Sequence, residues 1–134
     1  MIDSVPAAIA VLKNPREREI EREHAIQYLK ANPTPEAMEA LVAAMGAADY
    51  GVHWTASEAV AFLGDDAMPA LLRALAAGHA DRHLLDGARH VFTHSTSAAV
   101  RERGQAVIES MKGAGSEFAV IQAASRWLAE IPTA

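Results

Sequence analysis

The segment DYGVHWTASEAVAFLGDDAMPALLRAL, residues 49–75, carries two helical faces with a break between them. Ala56, Ala59, Phe62 and Leu63 recur three and four residues apart, Gly64 ends that run, and Pro69, Leu72 and Leu75 start another. Residues at this spacing share one side of an α-helix. A glycine just past the last periodic residue ends a helix, and a proline in the first turn begins one, where its missing N–H is not needed. The segment therefore reads as two helices joined by a short turn.

Both faces recur outward from it. An alanine followed by a bulky pair occurs as Ala25 with Tyr28-Leu29, Ala59 with Phe62-Leu63, Ala88 with Val91-Phe92 and Ala124 with Trp127-Leu128. The alanines are 34, 29 and 36 residues apart. A second face alternates with the first: Pro6, Ile9, Leu12; Pro35, Met38, Leu41; Pro69, Leu72, Leu75; and, without its proline, Gln105, Ile108, Met111. With the alanine face termed A and the proline face B, the order is B-A-B-A-B-A-B-A. Helices are predicted over residues 4–13, 16–31, 34–46, 51–63, 66–77, 81–94, 97–112 and 116–130. Thr34 and Asp66 are placed as N-caps or first-turn acids, and Gly46, Gly64, Gly78 and Gly113 as helix stops. One helical hairpin cannot bury its apolar side, but stacked hairpins share a continuous core. The expectation is a single all-α domain over 1–134, an α-solenoid of about four antiparallel helical hairpins. Its core would contain the ladder Tyr28–Phe62–Val91–Trp127, with Ala25, Ala59, Ala88 and Ala124 allowing close approach, and the first B helix and last A helix would cap the stack.

Composition agrees. Of 134 residues, 30 are alanine and 5% are aromatic, which favours close-packed helices over a sheet. The net charge of −5, with 17 acidic against 12 basic residues, argues against a nucleic-acid partner, because such proteins cluster Lys and Arg against phosphates. Cysteine is absent, which removes disulfides, thiolate nucleophiles and Cys-based zinc sites. Met1–Leu12 has no basic region ahead of its short apolar run, so no signal peptide is expected, and no stretch is long enough to span a membrane. A cytoplasmic location is the expectation.

The stretch from Asp49 to Leu75, with Val52, Ala56, Ala59-Val60, Leu63-Gly64-Asp65, Ala67, Pro69-Ala70-Leu71-Leu72 and Ala74-Leu75, resembles a HEAT-like repeat of the phycobilisome-lyase type. The resemblance is partial over Arg16–Met45 and weak after His79, and His53 stands where the family usually has arginine. It implies an α-solenoid used as a scaffold or binding surface, and no particular reaction.

No phosphate-binding glycine loop, His-Glu-x-x-His or Gly-x-Ser-x-Gly motif is present, and no catalytic residue or cofactor is assigned. Protein–protein interaction, with a partner or by self-association, is the expected function. The alternative is a small metal-binding or bilin-lyase-like enzyme subunit using the His83–His94 helix. There His90 and His94, at i and i+4, are spaced to share a divalent cation, with Asp86 or a residue from a neighbouring helix completing the shell. Two partner surfaces are marked. Trp54 lies about 160° around its helix from the apolar centre, so it either packs sideways on the next A helix or stands out as an aromatic anchor. Ile20 and His83 hold the equivalent positions in adjacent repeats. On the B layer, expected to be concave, Glu39, Arg73 and Glu109 fall at one repeat position and would stand side by side, with Glu36 nearby. The run from Arg16 to Glu23 alternates in sign and reads as a solvated helix face.

Overall fold

The computed structural model describes residues 2–132. It contains eight α-helices and no strand among those residues: α1 (Val5–Lys13), α2 (Glu19–Ala31), α3 (Pro35–Met45), α4 (Tyr50–Leu63), α5 (Met68–Ala76), α6 (Arg82–His94), α7 (Ala98–Ser110) and α8 (Ser116–Glu130). A 3-10 turn, Gly64–Ala67, joins α4 to α5.

Local chemistry sets these boundaries. Ser4, Thr34, Asp49, Asp81 and Ser97 each accept a hydrogen bond from a first-turn backbone N–H at 2.9–3.3 Å, so five helices start on a side-chain cap. Pro6, Pro35 and Pro69 occupy first turns as expected. Asp66 lies in the 3-10 turn and does not cap α5. Gly64 ends α4 at φ +58°, a conformation costly for other residues. This bend leads the chain straight into α5 beneath the α6–α7 turn, where Thr96 N–H donates to the Ala61 carbonyl and Thr96 Oγ1 to that of Phe62.

Two rows of helices result. α1, α3 and α5 pack in one row and α2, α4 and α6 in the other, with α1 on α2 and α3 on α4 as hairpins. The four ladder alanines are all buried within this stack. Strict alternation then stops. α7 packs on α6, and α8 packs on α5 as well as on α7, so the last hairpin is turned over relative to the repeat order. Close contact explains the seating of α7. Gly104 lies against Phe92, and a Cβ there would sit 2.4 Å from the Phe92 Cβ. α8 in turn brings Trp127 to 5.7 Å from the Phe92 ring, at an interplanar angle of 34°.

The bulky ladder needs one correction. Val91 and Trp127 are buried and Tyr28 is half-buried, but Phe62 is 55% exposed. α4 touches α2, α3 and α6, and its buried arc runs through Val52, His53, Ala56, Ser57, Ala59, Val60 and Ala61. That arc is centred roughly 70° away from the face inferred from spacing alone, which leaves Phe62 on the far side. The Lys30 ammonium covers its ring at 4.3 Å from the centroid. The phenylalanine of the core is instead Phe92, fully buried on α6.

Candidate functional site

Two regions collect the residues singled out by sequence. The first lies on the row of α2, α4 and α6, where α4 faces α6. Gly87 permits this approach: a Cβ there would meet Ser57 Oγ at 2.6 Å. His53 is buried, and its Nδ1 lies 2.5 Å from the Met45 carbonyl, so the nitrogen donates to an acceptor in the last turn of α3. The residue that departs from the expected arginine therefore closes a helix C-terminus.

Trp54 packs sideways. Its ring meets His53 edge-on at 4.8 Å and His90 of α6 at 5.2 Å, with Tyr50 at 6.0 Å. Its indole Nε1–H is buried without a hydrogen-bond partner. Repeat spacing put His83 beside Trp54; the structure sets His83 at 5.7 Å from His53, and His90, two turns further on, reaches Trp54. Ile20 is exposed on α2. His90 and His94 stand 4.8 Å apart between ring centroids. Partial burial and then the neighbouring His94 lower the His90 pKa from its ordinary value; Glu58 acts in the opposite sense and His53 adds to the lowering. Asp86 pairs with Arg89 at 3.6 Å. Among the described residues, no three His, Asp or Glu side chains are grouped to hold a metal ion.

The second region lies on the other row, between α3 and α5. Arg73 of α5 donates to Glu39 of α3 at 3.0 Å, as the shared repeat position predicted. Glu109 does not join them. It lies on α7, which has moved to the other row, and pairs with Lys112. Two depressions of about 530 and 610 Å³ adjoin at Ala70 and Arg73 and form one groove. One end is polar, with His79 and Asp81 beside Val42 and Leu84. The other is apolar, walled by Pro35, Met38, Pro69, Leu128 and Ile131, with Asp66 at its margin. Sequence spacing missed this apolar wall because Leu128 and Ile131 belong to α8 and its end, which the repeat order had assigned to the other row.

The charge-alternating run is also partly structural. Arg18 pairs with Glu21 on the surface, but Arg22 Nε donates to the Leu12 carbonyl at 3.0 Å and ties α2 to the end of α1. Glu23 accepts from Thr55 of α4. No described helix is long and apolar enough to cross a membrane.

No curated protein and no solved structure matches the chain significantly. A family-level match does exist, to HEAT repeats over residues 5–90, which is more than half of the 134 residues. The match spans α1 to most of α6, the part in which the two rows alternate regularly. With stacked helical hairpins, buried alanine ladders and this match together, the chain belongs to the HEAT-repeat family.

Proposed function

We propose that this protein is an interaction scaffold that holds a segment of a partner protein in the groove between α3 and α5. The carrying observation is the junction of the two depressions at Ala70 and Arg73, spanned by an exposed ion pair. Exposed pairs contribute only about 0–1 kcal/mol, so Glu39 and Arg73 can exchange each other for partner groups at little cost. The small floor residues Ala43, Ala70 and Ala74 leave room for side chains from outside. Within the family, Leu63-Gly64-Asp65 followed by Pro69 supports the phycobilisome-lyase subtype of the repeat.

Charge favours a basic occupant. Glu39 and Arg73 neutralise each other, and Asp81 and Asp66 remain towards the two ends. The matching segment is amphipathic, with apolar side chains for the Met38–Ile131 wall and Lys or Arg for the acidic margins. Complementary charge of this kind mainly sets encounter rate and register, while the apolar anchors set residence time.

A panel of basic and acidic amphipathic peptides, titrated into isotopically labelled protein, tests this. Basic peptides should shift backbone resonances of α3 and α5 and lose affinity in Asp66→Lys. Preference for acidic peptides, or shifts confined to the Trp54 side, would overturn it.

A further inference from the structure

We propose that His90 and His94 form a two-imidazole site for a late first-row divalent cation, with Cu²⁺ held most tightly. The residues are one helical turn apart on one face of α6, and their rings stand 4.8 Å apart with a 41° tilt. Imidazole nitrogen suits copper, zinc and nickel, and affinity for a given site peaks at Cu²⁺ along the first row. His94 is exposed and His90 half-buried, so an ion reaches the pair from solvent. No third His, Asp or Glu among the described residues is grouped with the pair, so water fills the remaining coordination positions. The site is open and its ion exchangeable, unlike a four-ligand structural centre. It does not depend on the α3–α5 groove.

The protein carries its own reporter. Trp54 meets His90 edge-on at 5.2 Å, whereas the other tryptophan, Trp127, packs on Phe92. A paramagnetic ion bound at His90 therefore quenches the Trp54 emission first.

The experiment titrates the full chain with Cu²⁺ in a non-coordinating buffer, following tryptophan fluorescence and electron paramagnetic resonance. Saturable quenching at one ion per chain, reversed by a chelator, and imidazole nitrogen couplings in the resonance spectrum are expected. Loss of even a supporting residue weakens metal sites by about 10–100-fold, so His94→Ala should cost at least about tenfold in affinity. His79→Ala, in the α5–α6 loop, should leave it unchanged. His94→Gln serves as the second variant, with circular dichroism confirming the fold. Equal affinity in wild type and both His94 variants, or a spectrum without imidazole couplings, would overturn the site.

Discussion

Gly104 of α7 touches Phe92 of α6 so closely that a side chain there would collide with it, because the added Cβ would stand only 2.4 Å from the Phe92 Cβ. The obstructing atom is next to the backbone and cannot swing away. Gly104→Ala gains up to about 1 kcal/mol of helix propensity, against an overpacking cost of about 1–3 kcal/mol. The expected result is a net loss of stability in chemical denaturation, with α6 and α7 losing amide-exchange protection first. A stabilised Gly104→Ala protein would mean that α7 is seated elsewhere.

Two phenylalanines separate repeat spacing from actual burial. Phe92→Ala should cost about 3–5 kcal/mol, as for a filled core site. Phe62→Ala removes an exposed ring under Lys30 and should cost only about 0.5–1 kcal/mol. Equal losses in denaturant titrations would restore Phe62 to the core.

This contrast shows what the sequence could disclose. Alanine at a helix crossing is constrained by backbone proximity, so Ala25, Ala59, Ala88 and Ala124 marked the buried rows correctly. The bulky residue beside each alanine is less constrained, because a neighbouring helix can rotate the buried arc, as α6 and α3 do for α4. The turned-over last hairpin left no periodic trace. Its spacing continues the repeat, and its seating depends on Gly104 and Trp127 meeting Phe92, a tertiary coincidence. The Glu39–Arg73 pair was legible because both helices keep the repeat order; Glu109 was not, because α7 breaks it.

Trp54 is set between His53 and His90, so its truncation affects the α4–α6 contact. Trp54→Ala should destabilise by about 1–3 kcal/mol and lower the melting temperature by several degrees. An unchanged melting temperature would return Trp54, with Ile20 and His83, to the role of a free anchor surface.

Arg73 predicts the opposite pattern. Its pair with Glu39 is exposed on both sides, so Arg73→Ala should change stability by less than about 1 kcal/mol. It should nonetheless alter which peptides the groove selects, by freeing Glu39 and making the groove more acidic. Binding measured at low and high salt should show a steeper salt dependence for basic peptides in the variant. A large fall in melting temperature would show that the pair is structural.

Acid sensitivity follows from His90. Burial and His94 favour its neutral form in the folded state, while Glu58 opposes this and His53 adds to it. Asp86 and Arg89 of the same helix pair with each other nearby. The folded-state pKa is thus below the unfolded value of about 6.5, and the unfolded chain binds the proton more readily. This contribution to stability is complete above about pH 6.5 and is lost as pH falls from there through the folded-state pKa. Protonation places charge beside His94 at the α4–α6 contact, so that contact should loosen first. The melting temperature should therefore fall as pH drops from about 7 to about 5, and His90→Gln, which cannot take the proton, should flatten that decline. If wild type and His90→Gln lose stability in parallel over this range, the acid response belongs to other groups and His90 titrates as a free imidazole.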